Sequence, residues 1–131
     1  SHICCLYPCT PLLKPQYLTD SFERWQSSNS LYCFPVLEFE SNVLRSLKLS
    51  DTGEVSSMFS QHELTRTQDL PQAYFDAGQF YWGSREAWLS EDKIHNHALG
   101  YVLPKYSVVD IDDENDWRFA ERLYQAQLAL A

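Results

Sequence analysis

Glycine is scarce in this sequence of 131 residues, which contains four. A phosphate-binding loop of the G-x-G-x-x-G or Walker type needs closely spaced glycines, because the backbone must come close to the phosphate groups. Neither pattern occurs, and the G-x-S-x-G motif of serine hydrolases is also missing. The sequence therefore gives no support to a nucleotide-binding loop of these types or to a serine nucleophile.

Basic residues are also few, with 10 lysines and arginines against 18 acidic residues and a formal net charge of −8. Nucleic acids and anionic membranes bind clustered basic side chains, so neither is expected as a partner. No apolar run approaches the ~18 residues that indicate a membrane-spanning helix. An anionic substrate would need a local cation or a bound metal ion.

The cysteines do not form a C-x-x-C pair, which argues against a zinc site. There are four of them, at positions 4, 5, 9 and 33. They are predicted to be buried free thiols of a protein in the reducing cytoplasm. His62, His95 and His97 lie in polar surroundings and are predicted to be surface residues.

The first third of the chain alternates between strand and helix patterns. Residues 3–7 form an apolar run typical of a strand that is buried on both faces of a parallel sheet. Leu18, Phe22 and Trp25 recur at helical spacing and predict a helix over residues 15–27. Residues 31–39 are strand-like, although Pro35 indicates an edge position or a bulge. This order of elements predicts the α/β class.

The rest of the chain predicts a hairpin, a further strand and two helices. Residues 43–49 and 54–59 flank a turn signal, and such a hairpin must pack on the main sheet or on another copy of the chain. The aromatic run 78–83 predicts a strand, and Ser84 can begin a short helix. Asp112 or Asp113 is expected to cap a final helix. Its apolar residues are predicted to face inward: Trp117, Ala120, Leu123, Tyr124 and Leu128.

Two carboxylates one residue apart, Asp110 and Asp112, close the apolar run 106–111. On a strand they would point the same way, while Val109 and Ile111 would point into the core. A shared divalent cation such as Mg²⁺, bound by these carboxylates and by substrate phosphates, would relieve their repulsion. The alternative is an edge strand that runs into the N-terminus of a helix, where the helix dipole favours acidic residues. The residues alone leave both interpretations open.

Several runs of the sequence resemble the bacterial CMP-nonulosonic acid synthetases, which activate nine-carbon acidic sugars. The runs are residues 65–83 (TRTQDLPQAYFDAGQFYWG), then 109–112 (VDID) and 116–117 (DW). Residues 7–12 (YPCTPL) are similar to the family's loop beside the nucleotide and the sugar. Tyr7, where the sialic acid branch usually has Gln, favours the pseudaminic acid branch over the N-acylneuraminate branch. The resemblance covers nearly the whole chain, in the family's order.

The resemblance implies a fold, a reaction and a partner. The fold is α/β and nucleotide-diphospho-sugar-transferase-like (Rossmann-like), with a mostly parallel sheet and a dimerisation arm at residues 41–75. The reaction transfers CMP from CTP to a nonulosonic acid, with pseudaminic acid favoured, in a cytoplasmic and Mg²⁺-dependent homodimer. The family's N-terminal CTP phosphate-binding loop has no counterpart in this chain, which is therefore expected to be inactive alone. The alternatives are an N-acylneuraminate cytidylyltransferase and an incomplete fragment that acts only in dimerisation or sugar binding.

The resemblance also implies roles for individual residues. Asp110 and Asp112 match the aspartates that hold Mg²⁺ at the catalytic centre. Arg66 matches a cation that reaches the neighbouring subunit's sugar site and pairs with the sugar carboxylate. Arg45 matches a second such cation, with an ordinary surface arginine as an equal alternative. The remaining implied substrate-binding residues are Tyr7, Gln68, Gln79 and Tyr81.

Overall fold

The computed structural model describes residues 1–129. Its strands and α-helices are β1 (His2–Leu6), α1 (Pro15–Gln26), β2 (Tyr32–Glu38), β3 (Leu47–Leu49), β4 (Val55–Ser57), β5 (Tyr74–Asp76), β6 (Phe80–Ser84), α2 (Arg85–Leu89), β7 (Ala98–Val102) and α3 (Glu114–Ala129). Short 3-10 turns lie at Val43–Arg45, Ser60–His62 and Thr67–Asp69. The predicted elements at residues 3–7, 15–27, 31–39 and 78–83 are therefore confirmed within a few residues. Ser84 caps α2, as predicted, by accepting a hydrogen bond from the Ala87 amide.

Two compact units make up the described chain. The first combines Ser1–Leu37 with the described residues from Asp76 onward, and the second is Glu38–Phe75. Strands β3 and β4 form an antiparallel pair within the second unit. The predicted hairpin is confirmed, and Gly53 in its turn takes a φ of 85°, which glycine adopts without strain. The role of residues 41–75 as a dimerisation arm stays a prediction.

The sheet of the first unit places four strands in the order β1-β6-β2-β7. β6 is antiparallel to both β1 and β2, and β7 is parallel to β2. The α/β class is confirmed, but the described residues do not form the mostly parallel sheet that was predicted. The path of the chain explains the antiparallel direction of β6. The chain leaves the first unit at the end of β2 and returns to it next to β2, where the Ala77 amide donates to the Pro35 carbonyl. From this point β6 runs in the direction opposite to β2.

Pro35 lies in a central strand, so the predicted edge position is wrong. β2 pairs with β6 on one side and with β7 on the other, and Pro35 is fully buried. The N and C=O of one strand residue point to the same side, and the Pro35 carbonyl faces Ala77. Ala77 lies in the interruption between β5 and β6. Proline is tolerated at this position because the side of the strand on which a backbone N–H would point faces a break in the neighbouring strand.

The larger core lies between α1 and the sheet. Trp25 of α1 is buried against Cys33 and Leu37 of β2 and against Tyr101 of β7. Trp82 of β6 packs against the same cluster and donates its indole N–H to Ser21 Oγ at 3.1 Å. Burying such aromatic side chains contributes several kcal/mol to the free energy of unfolding, at roughly 25 cal/mol per Å² of buried apolar surface. This packing fixes β2, β6 and β7 relative to α1.

A smaller core supports the segment with the two aspartates. Leu12, Val109 and Ala120 are buried together, and Ile111 and Leu123 pack against them. The predicted alternation of inward and outward side chains is confirmed, since the aspartates at positions 110 and 112 are exposed on either side of Ile111. The predicted strand over residues 106–111 is wrong, because these residues join no sheet within the described chain.

Two predictions of burial are also wrong. In β1, the side chains of Ile3 and Leu6 are 43% and 53% exposed, because in the described chain β1 pairs with β6 alone. In α3, Ala120 is buried, whereas Trp117 and Tyr124 are about half exposed. Only a narrow stripe of this helix contacts the smaller core, so its wider apolar face lies on the surface. Leu128, also predicted to face inward, is exposed as well.

The cysteines are less buried than the sequence predicted. The four cysteines are free thiols, as predicted, but only Cys33 is buried, while Cys5 and Cys9 are exposed. Burial raises the pKa of the half-buried Cys4 thiol to about 11. Within residues 1–129, none of the helices has the length and apolar character needed to cross a bilayer.

Candidate functional site

Three of the predicted substrate-binding residues lie together at the end of β1 and the start of β6. Tyr7 follows β1, and its amide donates to the Gln79 carbonyl at 2.9 Å. The rings of Tyr7 and Tyr81 are in contact, with centroids 5.2 Å apart. The antiparallel register of β1 and β6 causes this convergence, because it pairs Leu6 with Phe80. The structure therefore brings Tyr7, Gln79 and Tyr81 together.

Asp76 is the acceptor for the hydroxyl group of Tyr81. The Tyr81 Oη lies 2.9 Å from Asp76 Oδ1 and 3.0 Å from Oδ2. The Gly78 amide also donates to Oδ1, at 2.9 Å. Gly78 has a φ of 61°, which lets the chain turn sharply between β5 and β6. This turn holds the carboxylate of Asp76 against a side chain five residues further along the chain.

His95 completes the arrangement from a loop before β7. Its Nε2 lies 3.0 Å from Asp76 Oδ2, although the side chain is 65% exposed. Phe34 lies against both rings, with centroid distances of 5.6 Å to Tyr81 and 5.3 Å to His95. We call this group the Asp76 cluster, which consists of Tyr7, Phe34, Asp76, Tyr81 and His95. It combines three aromatic rings with a carboxylate and an imidazole.

The pKa of Tyr81 is raised far above its ordinary value. Burial is the largest cause, followed by the hydrogen bond to Asp76 and the negative charge of that carboxylate. The neutral phenol is the donor in this bond, so ionisation would both remove the bond and place two negative charges together. Tyr81 therefore keeps its proton and its direction toward Asp76 at any physiological pH.

A pH titration of the tyrosines should reveal this difference. The folded protein binds the Tyr81 proton more strongly than the unfolded chain does, where tyrosine has its ordinary pKa of 10.0. This contribution to stability is therefore complete below pH ~10 and is lost as the pH rises further. We expect the Tyr81→Phe variant and the unsubstituted protein to show the same phenolate absorbance near pH 10, because Tyr81 does not ionise there in the folded protein. If the absorbance of the variant were lower by that of one tyrosine, the hydrogen bond to Asp76 would not be formed in solution.

Gln79 is part of this turn, but its side chain is directed at the backbone. It is buried, and its Nε2 donates to the Ala77 carbonyl at 3.2 Å. In this structure the amide group therefore stabilises the turn between β5 and β6. Its role as a substrate-binding residue stays a prediction.

Asp110 and Asp112 are both exposed, on either side of the partly buried Ile111. They do not cap α3. Asp113 Oδ1 accepts from the Asn115 amide at 2.7 Å and from the Asp116 amide at 3.0 Å, so Asp113 is the cap. The Asp112 amide donates to Asp116 Oδ2 at 3.1 Å, which fixes the backbone there. The helix terminus thus gives Asp113 a structural role that Asp110 and Asp112 do not share.

The two carboxylates supply only part of a metal site. No group of three His, Cys, Asp or Glu side chains in residues 1–129 could hold a metal ion. Mg²⁺ is typically bound through one or two carboxylates, and its other ligands are waters and substrate phosphates. The donor set of Asp110 and Asp112 fits this ion, and metal binding there stays a prediction.

The other predicted site residues, Arg45, Arg66 and Gln68, lie in the second unit and are exposed. The Arg45 Nη1 donates to the Thr65 carbonyl at 2.8 Å, which brings its guanidinium to the residue before Arg66. Arg66 immediately precedes the 3-10 turn Thr67–Asp69, which contains Gln68. The structure therefore groups two cations and an amide on one segment of this unit.

Sequence reasoning did not single out Asp76, and it assigned His95 only to the surface. The Asp-x-Gly spacing before the aromatic run was a usable signal, because Asp side chains often accept a hydrogen bond from an amide two residues on. His95 gave no comparable signal. It lies 19 residues from Asp76, and only the fold brings the two together.

The full sequence is similar to cytidylyltransferases of three organisms. No protein-family model matches the chain. It is 40% identical over 125 residues to a pseudaminic acid cytidylyltransferase of Campylobacter jejuni, covering 95% of this chain and 54% of that protein. A Helicobacter pylori protein named as pseudaminic acid cytidylyltransferase and UDP-2,4-diacetamido-2,4,6-trideoxy-beta-L-altropyranose hydrolase is 32% identical over 93% of this chain and 24% of its own length. N-acylneuraminate cytidylyltransferase B of Danio rerio is 26% identical over 92% of this chain and 29% of its own length.

These similarities confirm the resemblance seen in the sequence. The relatives are pseudaminic acid cytidylyltransferases at 40% and 32% identity, and the N-acylneuraminate enzyme is more distant. The chain spans about half the length of the Campylobacter relative, 54%.

Proposed function

We propose that the intact protein transfers CMP from CTP to a nonulosonic acid and releases pyrophosphate, with pseudaminic acid as the favoured acceptor. The observation that carries this proposal is the 40% identity to a pseudaminic acid cytidylyltransferase over 95% of the chain. The proposal concerns the whole protein, because the chain matches 54% of that relative. A nucleotide-diphospho-sugar-transferase-like, Rossmann-like sheet belongs to the same proposal, supported by the α/β order of the described elements.

Asp110 and Asp112 are the residues that would hold Mg²⁺. Both are exposed carboxylates on a backbone fixed by the smaller core and by the start of α3. Bound there, Mg²⁺ supplies Lewis-acid stabilisation of charge on the phosphate and lowers the pKa of a coordinated hydroxyl. The two aspartates provide the negative charge that attracts the ion. Ile111, anchored between them, keeps their spacing.

The sugar is proposed to bind at the Asp76 cluster. Tyr7 is about half exposed and presents ring surface, while Tyr81 is buried behind it and held by Asp76. Such a surface offers apolar contact beside polar groups, which is typical of small-molecule sites. Gln79 supports this surface from the turn, through its bond to the Ala77 carbonyl.

A homodimer is part of the same proposal, with the hairpin of the second unit as its contact surface. This hairpin exposes apolar side chains that are unusual on a free surface: Leu47, Leu49, Val55 and Met58. Arg66, with Arg45 beside it, is proposed to pair with the sugar carboxylate in the site of the partner. Sedimentation of the intact protein should give the mass of a dimer at micromolar concentration, and the mass of a monomer would contradict this part of the proposal.

The choice of acceptor provides the test of the proposed function. Pyrophosphate release from CTP and Mg²⁺ is measured with the intact protein and with pseudaminic, N-acylneuraminic or legionaminic acid. We expect the fastest release with pseudaminic acid. Faster release with N-acylneuraminic acid would assign the protein to the branch of its more distant relative. No release with any of the three acids would overturn the enzyme assignment and favour a non-catalytic binding module.

A further inference from the structure

We propose that His95 contacts the sugar through its Nδ1 atom, and that Asp76 is a positioning residue that fixes both the His95 ring and the Tyr81 hydroxyl. The inference rests on the proposed function, because it takes the Asp76 cluster as the sugar site. Neither residue is among those that the sequence predicted. The geometry of the cluster carries the inference in three steps.

The first step is a count of hydrogen bonds at Asp76. A carboxylate offers about four lone-pair positions. Three donors already occupy this one, namely the Gly78 amide, the Tyr81 hydroxyl and the His95 Nε2. Asp76 is therefore nearly saturated within the protein. Its role is to orient the groups around it rather than to bind the ligand itself.

The second step concerns the protonation of His95. Because Nε2 faces a carboxylate, Nε2 must carry the proton that forms this bond. In the neutral ring Nδ1 is then without a proton and is a hydrogen-bond acceptor. The side chain is 65% exposed, so a ligand can approach it. His95 thus presents an acceptor to an N–H or O–H group of an acylated amino sugar.

The third step places this acceptor next to the predicted sugar contacts. The His95 ring stands edge-on to Phe34, with an interplanar angle of 89°, which fixes its direction. Phe34 contacts Tyr81, and Tyr81 contacts Tyr7. The four rings form a continuous row, and Tyr81 Oη and His95 Nε2 each lie 3.0 Å from Asp76 Oδ2. A sugar that lies on the exposed Tyr7 and extends along this row reaches His95.

The His95→Gln variant tests the ligand contact separately from the contact with Asp76. The Gln amide can still donate to Asp76, as Nε2 does, but its acceptor Oε1 then lies on the side of the former ring atom Cδ2 and not at the position of Nδ1. Because the contact between His95 and Asp76 is exposed on one side, its loss would change stability little. In the intact protein we expect KM for pseudaminic acid to rise about tenfold, with KM for CTP and kcat within about twofold of the unsubstituted protein.

His97→Asn is the matched control. His97 is an exposed histidine two residues from His95, and its φ of 53° is one that Asn tolerates. We expect no change in KM for either substrate. An equal rise in KM for both histidine variants would show that the loop, and not the Nδ1 acceptor, causes the effect, and would overturn the inference.

The Asp76→Asn variant tests the positioning role with a second readout. The ¹⁵N shifts of the His95 ring should report protonation at Nε2 in the unsubstituted protein and a mixture of tautomers in the variant. KM for the sugar should rise about tenfold or more, because the single acceptor oxygen of Asn cannot accept from the Gly78 amide, the Tyr81 hydroxyl and the His95 Nε2 together. A purely structural role would lower the melting temperature and leave the tautomer and KM unchanged, which would overturn the proposal.

The outcomes separate this inference from the proposed function. If the unsubstituted protein releases no pyrophosphate with any nonulosonic acid, both the proposed function and the inference that rests on it are wrong. If the protein is active and His95→Gln has an unchanged KM for the sugar, the inference alone is wrong. A rise in KM for the sugar alone, absent in His97→Asn, supports both.

Discussion

The Asp112→Asn variant of the intact protein is expected to lose about 100-fold or more of its rate of CMP transfer. The substitution removes one of two proposed carboxylate ligands of Mg²⁺, and a metal ion that stabilises developing charge is worth several kcal/mol. Each ~1.4 kcal/mol corresponds to a tenfold change in rate. The measurement is pyrophosphate release at saturating CTP and pseudaminic acid, with Mg²⁺ varied. The variant should also need more Mg²⁺ to reach its half-maximal rate.

The same substitution at Asp113 is the matched control. Asp113 lies next to Asp112 in the chain, but its carboxylate caps α3 by accepting two backbone amides. Asn is as good a cap as Asp, so Asp113→Asn should fold normally and keep its activity. The exposed Asp112 can also be replaced without loss of the core, so both variants should melt near the unsubstituted protein. Full activity of Asp112→Asn would remove the metal role.

The Phe80→Ala variant is expected to lose ~3–5 kcal/mol of the free energy of unfolding. Phe80 is 0% exposed, at the start of β6 between the two predicted site residues Gln79 and Tyr81. Its removal leaves a cavity and takes away the contacts that hold this strand. Because a domain is stable by only ~5–15 kcal/mol, such a loss is large. Urea unfolding followed by tryptophan fluorescence measures it.

Phe119→Ala makes the same change at a position where the structure predicts little effect. Phe119 lies on α3 and is 52% exposed, and Ala is the best helix former. Its free energy of unfolding should change by no more than ~0.5 kcal/mol. A loss at Phe80 as small as the one expected at Phe119 would mean that Phe80 is not in the core, and the position of the Asp76 cluster would then be wrong as well.

Local patterns predicted most of the secondary structure, because the signals for helices and turns act over a few residues. The helical spacing of Leu18, Phe22 and Trp25 gave α1, and the serine before Arg85 gave the cap of α2. The direction of β6 was not predictable in this way. It depends on where the chain returns after the second unit, and no local signal encodes that path.

Part of the proposed site follows from residues that stand in a recognisable order in the sequence. Tyr7, Gln79 and Tyr81 were predicted by resemblance, and the register of β1 and β6 brings them together, while their contact with a substrate stays a prediction. The pairing of Asp76 with His95 was missed because it depends on a loop that folds back across 19 residues. Burial along α3 was overestimated for a related reason, since helical periodicity identifies an apolar face but not what covers it.

The most direct test of the central claim is the identity of the reaction product. The intact protein is incubated with CTP, Mg²⁺ and pseudaminic acid, and the products are followed by ³¹P nuclear magnetic resonance and mass spectrometry. The proposed function predicts pyrophosphate and a CMP-linked sugar in equal amounts. Unchanged CTP, or hydrolysis to CMP and pyrophosphate without a sugar conjugate, would contradict it.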